Sequence, residues 1–126
     1  MRLRFHHALS GLFIILGRRE FVLHSIAGIL AIAFGILFCL DFFRWVVVVI
    51  AIGIVFAAEG FNTALEELGT TISPRQHARI RRAKDMSAAA VLITAVTAAV
   101  LGFLVFVPAF LGGHGSCLSS GFSGTI

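Results

Sequence analysis

Three apolar runs long enough to cross a bilayer dominate the chain, and only one of them is interrupted by charge. About 17 to 25 helical residues span the hydrocarbon core, and the runs from about Phe21 to Leu40, Trp45 to Leu68 and Met86 to Leu111 meet that length. The second carries Glu59, Asn62, Glu66 and Glu67 in its later half. Only Asp41 to Arg44 separates it from the first, a connection short enough to make the two spans antiparallel neighbours. Ahead of them lies RLRFHHALSGLFIILGRR, charged at both ends and too short between them to cross. No cleavage site of small residues follows, so this stretch is read as a helix lying at the membrane interface and not as a signal peptide.

The predicted architecture is therefore all-α: one integral membrane domain over residues 1–111, with an N-terminal amphipathic surface helix at 1–19 and transmembrane helices at about 21–40, 45–68 and 86–111. Ser73-Pro74 is a helix-start signal, which predicts that residues 75–84 already belong to the third helix before it enters the membrane. The tail, residues 112–126, has five Gly and four Ser. Its few apolar side chains do not offset the entropy of ordering it, which predicts a disordered segment.

Composition agrees with the pattern. The hydrophobic fraction is 59%, mean hydropathy is +1.03 and charged residues make up 13%, against about 25% in soluble domains. Ten Lys and Arg stand against six Asp and Glu. The basic residues cluster: Arg2, Arg4, Arg18 and Arg19 near the start, and Arg75, Arg79, Arg81, Arg82 and Lys84 between the second and third spans. By the positive-inside rule both clusters face the cytoplasm of a bacterial inner membrane, with the Asp41–Arg44 hairpin and the C-terminus outside. Basic groups beside apolar spans meet anionic lipid or phosphates, so nucleic acid is not an expected partner. Cys39 and Cys117 have neither metal-ligand nor redox spacing, and no disulfide framework is expected from them.

Glu59, Asn62 and Glu66 recur at i, i+3 and i+7, which places all three on one stripe of the second helix. An ionisable side chain within a span costs at least about 2.5 to 3.5 kcal/mol near the bilayer centre, so a functional role is the default reading. Glu67 points off the stripe and needs only headgroup water. Glu59 lies deepest, and no cation is near it in sequence.

The segments AEGFNTALEE (Ala58 to Glu67) and RAKDMSAAAVLI (Arg82 to Ile93) resemble the two signature blocks of the prokaryotic diacylglycerol kinase family, whose members phosphorylate diacylglycerol or undecaprenol. Span order, loop lengths and charge placement extend the resemblance over roughly residues 4–110. It implies a homotrimer with sites shared between subunits, which transfers the γ-phosphate of ATP to a membrane lipid alcohol. On that pattern Glu59 is the general base, Asn62 orients the site, and Glu66 holds the Mg²⁺ that accompanies the nucleotide. Lys84 and Asp85, with Arg75, Gln76 and His77 of the preceding loop, contact ATP, as does Glu66. Arg4 and Glu59 meet the lipid substrate.

Elementary chemistry asks for the same parts: somewhere for the alcohol proton to go, and charge neutralisation around the phosphates. No Walker-type or kinase-type Gly-rich loop is present. The family pattern places a second metal-binding glutamate where this chain has Arg18, with Glu20 as the nearest acid and the tentative second ligand. His24 resembles the undecaprenol kinase branch, where enteric diacylglycerol kinases have an acid. Two other readings stay open on sequence alone: a small oligomeric transporter or ion-conducting bundle that uses Glu59 and Glu66 as a relay, and a non-catalytic kinase homologue.

Overall fold

The computed structural model describes residues 2–72 and 77–112 and is all helical over them. Four helices follow in order: α1 (Arg2–Leu16), α2 (Arg19–Leu37), α3 (Phe42–Ile72) and α4 (Ala78–Leu111). The last three are long and apolar enough to cross a membrane, and α1 is a shorter apolar helix. At 1.5 Å per residue, α2 is about 28 Å long, close to one hydrocarbon thickness, while α3 and α4 reach about 46 and 51 Å. Because α2 and α3 meet at a tight hairpin, the excess length of α3 extends beyond the other end of α2. There it packs against the start of α4, the most extensive helix pairing in the chain.

The hairpin follows from local chemistry. Leu40 N–H donates to Gly35 O at 3.1 Å and Cys39 N–H to Ile36 O at 3.2 Å, the paired bonds that close a helix through a left-handed residue. Cys39 takes that conformation, with φ 50°. Asp41 then starts α3: its Oδ1 accepts from Arg44 N–H at 3.1 Å, its Oδ2 lies 3.2 Å from Arg44 Nε, and its carbonyl accepts from Trp45 N–H at 3.0 Å. Side-chain acceptance at the third helical N–H is what an N-terminal cap supplies. A core of Leu40, Val48, Val105 and Ala109 sits at this end, with Trp45 and Phe106 packed against it. Most remaining apolar side chains in the spans are exposed, the arrangement expected where lipid is the solvent.

Two close approaches set the helix spacing. A Cβ at Gly35 would stand 2.8 Å from Trp45 Cη2, and one at Gly69 would stand 3.0 Å from Ile80 Cγ2. At Gly35 only glycine lets α2 reach the Trp45 ring this closely, whereas at Gly69 a side chain would press the Ile80 methyl back by a few tenths of an ångström.

Two sequence expectations are revised. The third helix starts at Ala78, with His77 as its N-cap accepting from Arg79 N–H at Nδ1, 3.3 Å. A side-chain acceptor sets the boundary there in place of the Ser73-Pro74 signal, whose residues lie outside the described set together with Arg75 and Gln76. Cys39 is disulfide-bonded, whereas no bridge was expected. The sequence holds one other cysteine, Cys117, which lies outside the described residues, as does the tail from residue 113.

Candidate functional site

The polar stripe of α3 faces its neighbours at three successive levels. Deepest is Glu59, 3% exposed. Its Oε1 lies 2.8 Å from Nδ1 of His24 on α2. That nitrogen is also 3.0 Å from the backbone carbonyl of Glu20, one turn earlier. The Glu20 carbonyl can only accept, so Nδ1 donates to it. The pair is held from several sides. Phe21, one turn before His24, meets Phe56, one turn before Glu59, with ring centroids 4.8 Å apart. Ile15 of α1 covers Gly60.

Asn62 forms the middle level. Its Oδ1 is 2.7 Å from Ser87 Oγ, which also lies 2.8 Å from the Lys84 carbonyl and donates its single proton to one of the two. This contact and the Gly69–Ile80 approach set the α3–α4 register, which puts Glu66 level with Ala83 and Lys84 level with Leu65. Lys84 Nζ donates to Thr70 Oγ1 at 3.3 Å, and Thr70 bonds back to the Glu66 carbonyl at 2.8 Å. The amine is thereby drawn to the end of α3 that carries Glu66. Glu66 is half-buried, and its carboxylate has no ion-pair partner among the described residues. Asp85, next to Lys84 in sequence, is exposed.

At the outer edge Arg18 pairs with Glu67, tying the α1–α2 junction to the end of α3. The structure thus brings Glu59 against His24 across α2 and α3 and Asn62 against Ser87 across α3 and α4, with Lys84 drawn toward the end of α3 that carries Glu66. Glu20 is exposed on the first turn of α2, and its part in the geometry is its backbone carbonyl. His77 is engaged as a helix cap, and Arg4 stands on α1 with its side chain outside the described set.

Sequence reasoning missed two partnerships. Glu59 has its donor in His24, 35 residues away, and Arg18 has Glu67. The first was available in principle: the four-residue hairpin fixes how α2 and α3 align, and that alignment brings residue 24 close to the level of residue 59.

Beside the Glu59–His24 pair, α2, α3 and α4 line an open cleft of about 230 Å³. Ala27, Gly28, Ala51, Ala95, Ala98 and Gly102 leave room for it, and His24 is the one polar side chain in its lining. Glu59 is not in the lining.

A divalent ion can be tested against the donor set. Among the described residues no three of His, Cys, Asp or Glu converge as a metal cage. A lone carboxylate of Glu66 near Lys84 fits Mg²⁺, which keeps water and phosphate oxygens and takes only one or two protein carboxylates.

Compared with known proteins, residues 6–106 match the profile of the prokaryotic diacylglycerol kinase family. The chain belongs to that family. It is also similar to the undecaprenol kinase of Bacillus subtilis (strain 168), 33% identical over 90 residues that cover 71% of this chain and 73% of the relative. No solved structure matches it. Family and relative together make this protein a lipid kinase of the membrane.

Proposed function

We propose that this kinase transfers the γ-phosphate of ATP to the hydroxyl of a membrane lipid alcohol, undecaprenol or diacylglycerol, at the cytoplasmic surface of a bacterial inner membrane. The observation that carries the proposal is the polar stripe of α3: Glu59, buried against the imidazole of His24, and further along the helix Glu66, without an ion-pair partner among the described residues, at the end toward which Lys84 is drawn. The deep end of the stripe receives the lipid hydroxyl and its proton. Glu66 and Lys84 meet the nucleotide, joined by Asp85 and by Arg75, Gln76 and His77.

Mg²⁺ held by Glu66 together with the phosphates would supply charge neutralisation, and the proposal needs no carboxylate from Glu20. Asn62, anchored by Ser87, keeps the stripe and the start of α4 in one register, so that donor and acceptor ends stay aligned. Arg4 on α1 is assigned to the lipid headgroup side. A homotrimer with shared sites would enclose a stripe that one short chain leaves open, and the exposed apolar faces of the spans are compatible with it.

An ion-conducting bundle is the weaker reading. Beyond the Glu59–His24 pair, towards the hairpin, the three spans carry no further Asp, Glu, His, Lys or Arg until Asp41, so a relay would have no steps across the outer half of the membrane. The test is transfer of labelled phosphate from ATP to each lipid in nanodiscs, with Glu59→Gln as comparison. The proposal expects a labelled lipid from the wild type and at least a hundredfold less from the variant. Absence of labelled lipid above the variant's background for both acceptors overturns it, and would leave the non-catalytic reading.

A further inference from the structure

We infer that Thr70 is the positioning residue for Lys84: with Gly69 it forms a cradle on α3 that holds the ammonium group toward the end of the helix that carries Glu66, ready for the phosphates of a nucleotide. This rests on the assignment of Lys84 to ATP made above and adds the residue through which that lysine is aimed.

A lysine near the start of a membrane-spanning helix ordinarily has no fixed address. Its long stem lets the head snorkel toward water, and anionic headgroups compete for it. In this chain three contacts fix it. The stem crosses α3 at Gly69, where an added Cβ would stand 3.5 Å from Lys84 Cδ and 3.7 Å from its Cγ. The head then reaches the next residue, with Nζ 3.3 Å from Thr70 Oγ1. Thr70 in turn gives its one proton to the Glu66 carbonyl at 2.8 Å, which leaves the lone pairs of its oxygen for the ammonium group. An ammonium only donates, a carbonyl only accepts, and the hydroxyl between them does one of each, so its rotor has a single setting.

The hydroxyl is neutral, and no carboxylate among the described residues pairs with Lys84. The lysine is therefore held without losing its charge, and two of its three N–H donors remain for phosphate oxygens. A side chain already placed has less rotamer freedom to lose when the nucleotide arrives. The neighbouring Thr71 supplies an internal comparison. It bonds back to the Glu67 carbonyl at 2.8 Å, just as Thr70 does to Glu66, but receives no cation among the described residues. What sets Thr70 apart is the lysine, and not the bond to its own helix.

The discriminating variants are Thr70→Val, which keeps the shape and removes the acceptor, Thr70→Ser, which restores it, and Thr71→Val, which removes the equivalent back-bond one residue away. Each is assayed by steady-state phosphorylation in nanodiscs with the lipid that the wild type accepts and ATP varied, and Thr70→Val is repeated in a Lys84→Met background. We expect Thr70→Val to raise KM for ATP about fivefold, the factor that one hydrogen bond contributes, with KM for the lipid within about twofold. Thr70→Ser and Thr71→Val should both stay within about twofold of wild type in KM for ATP, since each leaves the bond between residue 70 and the lysine in place. In the Lys84→Met background Thr70→Val should change KM for ATP by less than about 1.5-fold, because residues that act through one contact are not additive. A Thr70→Val effect that persists without the lysine, that Ser does not restore, or that Thr71→Val reproduces would overturn the inference, as would a KM for ATP that Thr70→Val leaves unchanged. If Lys84→Met alone leaves KM for ATP unchanged, the assignment of Lys84 to the nucleotide fails, and the role of Thr70 falls with it.

Discussion

The His24–Glu59 pair is asymmetric, and the asymmetry predicts unequal stability effects. His24 Nδ1 has two oxygen neighbours, the Glu59 carboxylate at 2.8 Å and the Glu20 carbonyl to which it is hydrogen-bonded at 3.0 Å, and its side chain is 28% exposed. Glu59 has one donor and is almost wholly buried. Replacing Glu59 by Leu leaves His24 bonded to Glu20, so the expected cost is within about 1 kcal/mol. Replacing His24 by Leu strands a carboxylate without a donor, which costs about 3–5 kcal/mol. The double variant removes both polar groups and fills the space with apolar atoms, so it should return to within about 1 kcal/mol of wild type. With the Glu59→Leu and double variants costing about the same, the coupling energy equals the His24→Leu loss, about 3–5 kcal/mol, at or above the top of what residues in contact display. Trp45, the sole tryptophan, packs against Gly35 across the α2–α3 contact, so its fluorescence during SDS titration in mixed micelles reports α2 leaving α3. Equal losses from the two single variants, or a double variant that shows their sum, would refute the reasoning.

Ser87→Ala should cost about 1 kcal/mol and lower kcat severalfold, because the amide of Asn62 loses its anchor on α4; unfolding and turnover measured together check it. Lys84→Met should raise KM for ATP about tenfold while KM for the lipid stays within twofold, the loss expected when one cation leaves a phosphate site, and a two-substrate kinetic matrix reads both. Arg18 and Glu67 are 37% and 61% exposed, so Arg18→Ala should change stability by less than about 1 kcal/mol. A larger loss in the same fluorescence titration would mean that the α1–α2 junction depends on this pair.

The three spans were legible because lipid demands long apolar helices, and three runs of that length stand out in this chain. The polar stripe was legible too, since Glu59, Asn62 and Glu66 announce themselves by cost alone. The α3 helix runs on to Ile72, past the apolar run that ends near Leu68, because backbone bonding and packing of Gly69 against Ile80 sustain it in water as well as in lipid. Hydropathy marks the membrane boundary and not the helix boundary. His24 as the partner of Glu59 depends on how α2 and α3 align through the hairpin, where Gly35 admits the ring of Trp45 and a left-handed Cys39 completes the turn. A non-glycine residue in that conformation carries little signal in a sequence. Pairing between distant residues, such as Arg18 with Glu67, has no local signature at all.

The most direct measurement offers purified protein in nanodiscs an equal mixture of undecaprenol and diacylglycerol with ATP, then quantifies lipid products by mass spectrometry and ADP by chromatography. A membrane lipid kinase built on this stripe forms one phosphorylated lipid for each ADP, and Glu59→Gln abolishes both together. Hydrolysis of ATP with no phosphorylated lipid, or phosphorylated lipid formed equally well by Glu59→Gln, would contradict the account.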